Sequence, residues 1–150
     1  MSQTVSMEDL LRRDGVLVYK TRGVSMRPLF KENRDLVTIR PFEGRLKKYD
    51  VPLYRRSGKR YTLHRIIEVR DNEYVIRGDN TFVKEHVPDN AVVGVLTDFQ
   101  RKGKNYSVSS RGYRFYARFW NLIYPVRWVL HKCRRFCGKI KRAVKGGNKQ

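Results

Sequence analysis

Acidic residues are missing from one end of this sequence. Residues 101–150 contain 15 Lys and Arg but no Asp or Glu. The whole chain of 150 residues has 34 basic and 14 acidic side chains, so its formal net charge is +20 at pH 7, and residues 1–100 account for only +5 of it. This difference predicts two parts: a domain of nearly balanced charge over residues 1–110 and a basic C-terminal region over residues 111–150.

Long apolar runs are also absent. No stretch of 18 consecutive apolar residues occurs, so no transmembrane helix is predicted. The first 20 residues lack the basic start and the apolar middle of a secretory signal. We therefore expect a cytoplasmic protein, or a peripheral membrane protein if the basic C-terminal region binds a membrane.

Cysteine is scarce, which excludes a disulfide-stapled scaffold. Cys133 and Cys137 are the only two, and with His131 they form an H-x-C-x-x-x-C pattern. Three ligands without a second pair make a weak metal site, so the pattern favours two ordinary thiols on a helix face. Neither a metal nor another cofactor is predicted.

Short strands dominate the first hundred residues. A short helix is predicted over residues 4–14, where Thr4 or Ser6 can cap its start and Gly15 ends it. Short apolar segments separated by turn residues then predict at least seven strands, at 16–19, 36–39, 51–56, 61–69, 73–77, 91–96 and 106–109. Their close spacing indicates a mostly β domain with a coiled, barrel-like antiparallel sheet rather than a parallel α/β sheet.

The C-terminal region has helical spacing. Apolar residues recur at steps of three and four over residues 113–137, Arg and Lys lie between them, and Pro125 should kink or split the helix. A basic amphipathic helix rich in aromatic residues is typical of segments that bind an anionic membrane surface. The alternatives are a terminal helix that packs on the sheet and a basic module that binds nucleic acid on a β scaffold.

One loop contains a candidate nucleophile. It reads Gly23-Val24-Ser25-Met26-Arg27-Pro28, in which glycine permits a tight turn and proline suits a first helical turn. A serine hydroxyl becomes a nucleophile when a base accepts its proton and N–H donors await the oxyanion. Ser25 fits that role, but a serine before a helical turn is more often an N-cap.

A candidate base and a polar turn follow later in the chain. His64 lies within the predicted strand 61–69, where a lone histidine is more often structural than catalytic. The turn Gly78-Asp79-Asn80 comes directly after another predicted strand, and each of these residues is an ordinary turn former. His86 is predicted to be exposed in a loop over residues 84–88.

The order of these pieces is more informative than any one of them. G-x-S-M-x-P is followed by an aspartate-led strand at Asp50, then by H-R-I-I from His64, then by a strand that ends in G-D-N. Over residues 15–97 this order resembles the serine peptidase family of type I signal peptidases and LexA-like self-cleaving proteins. A histidine followed by R-I is similar to the endoplasmic-reticulum and archaeal branch, whereas bacterial signal peptidases and LexA-like proteins use a lysine base.

The resemblance implies a serine endopeptidase that cleaves signal or leader-type peptides bound in an extended conformation. It implies that Ser25 is the nucleophile, that His64 is its base, and that Asp79 is a supporting or third triad residue. It further implies that Gly23 lines the oxyanion hole beside the Ser25 N–H. The other supporting positions carried by the resemblance are Met26, Pro28, Gly78 and Asn80.

Self-processing is a remaining alternative, because LexA-like relatives cut themselves at a small residue before glycine. The nearest candidates are Cys137-Gly138 and Gly146-Gly147. Both lie after the motifs, whereas the relatives are cut before them. The expected partner is therefore a separate peptide or protein substrate.

Overall fold

The structure, a computed structural model, describes residues 6–56 and 60–146, with side chains described as far as Cys137. The described part is mostly β, with helices at its two ends. In chain order the elements are α1 (Met7–Asp14), β1 (Leu17–Lys20), β2 (Leu36–Arg40), β3 (Pro52–Arg56), β4 (Arg60–Leu63), β5 (Arg65–Val69), β6 (Glu73–Arg77), β7 (Glu85–Pro88), β8 (Val92–Arg101), β9 (Lys104–Ser107), α2 (Arg111–Leu122) and α3 (Tyr124–Gly146).

The strands form two antiparallel sheets. The larger sheet has the order β1-β2-β8-β3-β4, and β9 also pairs with β8. Ten residues of β8 run through its centre and pair with β2, β3 and β9. The smaller sheet has the order β5-β6-β7. The prediction of a mostly β domain with antiparallel pairing is therefore confirmed, although the strands form two sheets and not one.

Two clusters of buried apolar side chains stabilise these sheets. Alternation along β2 buries Val37 and Ile39 completely, because successive side chains of a strand point to opposite faces. They belong to the larger cluster, which also contains Phe30 and Phe99 at an edge-to-face centroid distance of 5.3 Å. The smaller cluster lies against the second sheet and includes the fully buried Ile76. Burial of apolar surface is the main favourable contribution to folding.

Helix α1 begins and ends at the predicted signals. The Ser6 hydroxyl accepts a hydrogen bond from the Asp9 N–H at 3.1 Å, and Gly15 ends the helix with a φ of 68°. The alternative cap, Thr4, lies outside the described residues.

The prediction of one strand over residues 61–69 is wrong. The chain leaves the larger sheet after Leu63, which pairs with Leu53, and joins the smaller sheet at Arg65, which pairs with Arg77. His64 lies between the two strands and belongs to neither. The buried Arg65, which breaks the apolar alternation, is the sequence feature that accompanies this change of sheet.

The prediction of a loop over residues 84–88 is also wrong, because Glu85–Pro88 is β7. Its sequence, Glu-His-Val-Pro, has only one β-branched residue, so intrinsic preference gives little signal. Pairing with the apolar strand β6 forms it instead. His86 is exposed, as expected.

The C-terminal helix is split, as predicted from Pro125. Helix α2 ends at Leu122, and α3 starts at Tyr124, so that proline occupies the first turn, where its missing N–H costs nothing. The chain divides into two compact units, Met1–Ala117 and Arg118–Gln150. Cys133 and Cys137 are free and exposed. Among the described residues, no helix is long and apolar enough to cross a membrane.

Candidate active site

Two loops and a histidine meet around Gly78, which is buried directly after β6. A Cβ added to Gly78 would lie 2.7 Å from the Ser25 carbonyl oxygen and 3.1 Å from His64 Nε2. The serine loop and the imidazole therefore flank the same glycine. The space between them is too small for any side chain, so a residue without a Cβ is required there.

Buried apolar side chains hold the serine loop in place. Met26, Leu29 and Phe30, which follow Ser25, all belong to the larger core cluster. Ser25 itself is half-buried and Pro28 is exposed. The loop is thus fixed from one side, with its serine at the surface of the core.

Gly23 shapes the start of this loop. It has a φ of 80°, in the left-handed region that favours glycine. Its N–H donates a hydrogen bond to Glu32 Oε1 at 2.9 Å. Because that donor is occupied by Glu32, it is not directed to an oxyanion. Within residues 6–56 and 60–146, by contrast, no acceptor is bonded to the Ser25 N–H.

Asn80 ties the polar turn to the serine loop with two hydrogen bonds. Its backbone N–H donates to the Ser25 carbonyl at 2.7 Å, and its side-chain amide donates to the Val24 carbonyl at 3.2 Å. The Val24 carbonyl and the Ser25 N–H belong to the same trans peptide group, so they point in opposite directions. Holding the carbonyl toward Asn80 therefore directs the Ser25 N–H away from it.

The His64 ring is buried where the chain passes between sheets, with 5% of the residue exposed. Its Nδ1 atom lies 3.1 Å from the Tyr54 hydroxyl and 3.3 Å from Glu85 Oε1. Its Nε2 edge is the one near Gly78 and Ser25. Burial lowers the pKa of His64, and the Glu85 charge partly opposes that shift. A neutral imidazole is the form that can accept a proton.

Ser25 and His64 are near each other but are not bonded. In the part of the chain that the structure describes, no hydrogen bond joins Ser25 Oγ to His64. Contacts between a nucleophile and its base are often long in the absence of substrate and shorten when substrate binds. The serine loop and the imidazole thus lie on either side of Gly78. A serine hydroxyl, a neutral imidazole and a backbone N–H are the groups that acyl transfer needs.

Asp79 is buried in a different set of contacts. Both its oxygens accept hydrogen bonds from Arg65, each at 2.8 Å, and Oδ2 also accepts from the Tyr116 hydroxyl at 2.9 Å. Arg65 further donates to the Tyr113 hydroxyl at 3.1 Å. Arg65 is fully buried, and despite that burial the Asp79 charge raises its pKa. This paired network fixes the polar turn and joins it to the start of α2.

Sequence reasoning missed the side chains around His64 and Asp79. Arg65 could have been found, because it is the polar exception in an apolar strand pattern. Tyr54 and Glu85 gave no such signal, since their side chains come from strands of different sheets. Asp50, the other sequence candidate, accepts a hydrogen bond from the Lys47 N–H at its carboxylate, at 2.8 Å, and one from the Ile66 N–H at its backbone carbonyl, at 2.9 Å.

No group of His, Cys, Asp and Glu suited to a metal ion occurs among the described residues. In comparisons with known proteins, no family model and no curated protein matches this chain. The function is therefore inferred from the geometry around Gly78 and from the order of the motifs.

Proposed function

We propose that this protein is a serine endopeptidase that uses Ser25 as nucleophile and His64 as general base. The observation that carries the proposal is the closeness of the Ser25 backbone and His64 Nε2 on either side of Gly78. Three motifs that are separate in the sequence contribute to that one point. Their order resembles the signal-peptidase and LexA-like family, in its histidine branch, and that resemblance suggests the reaction.

The reaction follows from the groups present. His64 Nε2 accepts the Ser25 hydroxyl proton while Ser25 Oγ attacks the scissile carbonyl carbon, and the carbonyl oxygen becomes an oxyanion. The Ser25 N–H is the donor available to that oxyanion. The peptide C–N bond then breaks as His64 returns the proton to the leaving amine. Water, activated by His64 in the same way, hydrolyses the acyl-enzyme and regenerates Ser25.

The proposed substrate is a signal or leader-type peptide bound in an extended conformation. Extended peptides bind to the edges of β-sheets through main-chain hydrogen bonds. The smaller sheet, whose edge strands are β5 and β7, offers such edges next to the site. Small side chains beside the cut follow from the resemblance alone.

A library of leader-type peptides, read by mass spectrometry, tests this proposal. Wild type should cleave a subset of the peptides, and Ser25→Ala and His64→Ala should cleave none above background. Matched controls are Ser109→Ala, at an exposed serine, and His86→Ala, at an exposed histidine. Equal cleavage by wild type and both site variants would refute the peptidase proposal.

A second function concerns the basic segment predicted over residues 113–137, and we propose that its part after Ala117 binds an anionic lipid surface. Its first residues are not available for that role, because Tyr113 and Tyr116 form hydrogen bonds with Arg65 and Asp79. Leu122, Val126, Val129 and Phe136 recur at helical spacing and are 51–78% exposed. An apolar stripe of this kind along a helix is the pattern of a segment that lies in a membrane interface. Basic residues without any acidic neighbour accompany it, which complements an anionic surface.

Vesicle binding distinguishes this proposal from nucleic-acid binding. The protein should sediment with phosphatidylglycerol vesicles, less with phosphatidylcholine vesicles, and less again at high salt. Leu122→Ser and Phe136→Ser should weaken sedimentation, whereas Val83→Ser, at an equally exposed apolar side chain outside the helices, should not. Binding to a short DNA duplex but not to vesicles would contradict lipid binding and support the nucleic-acid alternative.

A further inference from the structure

Two side chains from separate strands meet at the buried edge of the His64 ring. Tyr54 comes from β3 and Glu85 from β7, which belong to different sheets. The Tyr54 hydroxyl lies 3.0 Å from Glu85 Oε2 and 3.1 Å from His64 Nδ1, and Glu85 Oε1 lies 3.3 Å from the same nitrogen. His64 thus has two oxygen neighbours on the side opposite Gly78.

The number of protons available decides how these contacts are made. An ionised carboxylate only accepts, and a tyrosine hydroxyl has one proton to donate. If the hydroxyl proton pointed to His64 Nδ1, no proton would lie between the Tyr54 oxygen and Glu85 Oε2. These two oxygens, 3.0 Å apart, would then repel each other. The hydroxyl therefore donates to Glu85, which leaves both oxygens near Nδ1 as acceptors. The proton of the neutral ring must then be on Nδ1, and Nε2 keeps its lone pair.

We propose that Glu85, together with Tyr54, is the positioning residue of His64: it accepts the Nδ1 proton and so directs the basic Nε2 toward Ser25. This role rests on the proposed peptidase function. It assigns to Glu85 the task that the motif resemblance gives to Asp79. The order of elements supports the assignment, since β7 pairs Glu85 with Ile76 of β6, two residues before Gly78.

Asp79 is committed elsewhere by its contacts. Arg65 forms a two-pronged pair with its carboxylate, and Tyr116 adds a third hydrogen bond. Its charge does favour protonated His64, but less than the charge of Glu85 does. Asp79 therefore braces the turn that contains Gly78, while Glu85 contacts the imidazole.

The surrounding charges set the sign of the pH response. Glu85 and Asp79 favour the protonated ring, whereas burial and the Arg56 guanidinium, 3.6 Å from Glu85 Oε2, disfavour it. Tyr54, whose own pKa is raised by burial, stays neutral at any working pH. Removing the Glu85 charge should therefore lower the pKa of His64 further, so that the acid limb of kcat/KM moves to lower pH.

The test combines NMR of the histidine rings with kinetics on the full chain. Long-range ¹H–¹⁵N spectra at pH 8 report which ring nitrogen carries the proton, without any substrate. Wild-type His64 should be protonated at Nδ1, and Glu85→Gln should give a mixture of tautomers. In cleavage assays Glu85→Gln should lower kcat by roughly 10- to 1,000-fold with little change in KM. If Glu85→Gln does not fold, Tyr54→Phe tests the same hydrogen bonds.

Glu73→Gln is the matched control, because Glu73 Oε1 contacts Nδ1 of the exposed His86 at 2.8 Å. It should leave kcat and the His64 tautomer unchanged. Wild-type His64 protonated at Nε2, or a Glu85→Gln variant with unchanged kcat, pH profile and tautomer, would overturn the proposal. If the Nδ1 proton is present and depends on Glu85 but no peptide is cleaved, the positioning stands and the peptidase function fails.

Discussion

Two histidine–glutamate contacts in this domain look alike but lie in different surroundings. His86 Nδ1 is 2.8 Å from Glu73, and His64 Nδ1 is 3.3 Å from Glu85. The His86 side chain is 52% exposed, whereas that of His64 is 6% exposed and is also in contact with Tyr54. The shorter contact is therefore the one that water surrounds.

Distance alone therefore does not distinguish a catalytic histidine from a surface ion pair. An exposed pair gains little, because water screens the charges and competes for the hydrogen bonds. Around His64 water is largely excluded, so its partners determine both its tautomer and its protonation. The same contrast between buried and exposed contacts can be tested at four places.

The largest effect is expected at the two histidines. His64→Ala removes the proposed base and should lower kcat/KM for a cleaved peptide by roughly 1,000-fold or more. His86→Ala should leave kcat/KM within about twofold, since surface changes away from a site are usually small. Steady-state kinetics on both variants measures the contrast. Equal losses would mean that burial does not distinguish the two histidines.

The next effect concerns stability. Asp79→Asn leaves the fully buried Arg65 without its counter-charge, so the free energy of unfolding should fall by about 3–5 kcal/mol. Asp14→Asn breaks an exposed ion pair with Arg13 and should cause no measurable change. Urea denaturation at pH 7 checks both. An Asp79→Asn variant that is as stable as wild type would contradict the proposal that this carboxylate stabilises the turn through Arg65.

Two glycines give a smaller contrast. Gly78→Ala would place a Cβ 2.7 Å from the Ser25 carbonyl, so it must push the serine loop from His64 and should lower kcat by roughly 10- to 100-fold. Gly112→Ala meets nothing within 4 Å on helix α2, so it should keep kcat and stabilise the fold by up to about 1 kcal/mol. Kinetics and thermal unfolding of the pair are the measurements. Full activity in Gly78→Ala would show that the close packing around Gly78 is not needed for catalysis.

The smallest effect is a shift along the pH axis. Burial lowers the pKa of His64 from its usual value of 6.5, so the neutral ring is the major form at pH 6.5. The acid limb of kcat/KM should therefore lie below pH 6.5. Unfolded His64 binds its proton at higher pH than the folded ring, so the unfolding free energy should also fall as pH drops below 6.5. An acid limb above pH 6.5 would contradict a buried, neutral base.

Much of the β domain could be predicted from local patterns. Helix α1 has its cap at Ser6 and its stop at Gly15, and the apolar strands β2 and β3 are where the pattern indicates. The failures occurred where tertiary contacts decide. At His64 the chain passes from one sheet to the other because Arg65 pairs with Arg77 of β6, which is not evident from the local sequence. Strand β7 forms because it pairs with β6.

The candidate site was predictable in its motifs and not in its surroundings. The order of residues around Ser25, His64 and Gly78 could be compared with a family, and the structure brings these three residues close together. The partners of the imidazole could not be predicted, because Tyr54 and Glu85 belong to strands of different sheets. Glu85 faces Nδ1 because β7 pairs with β6, and that pairing could not be predicted from the sequence.

If Ser25 is a nucleophile activated by His64, its hydroxyl should react with reagents that modify catalytic serines. The most direct measurement is the rate at which a small-side-chain peptidyl fluorophosphonate labels the intact protein, with the modified residue mapped by mass spectrometry. We expect one adduct, on Ser25, which forms at a rate strongly reduced in His64→Ala and unchanged in His86→Ala. An adduct on another serine, or labelling of Ser25 at the same rate without His64, would contradict it.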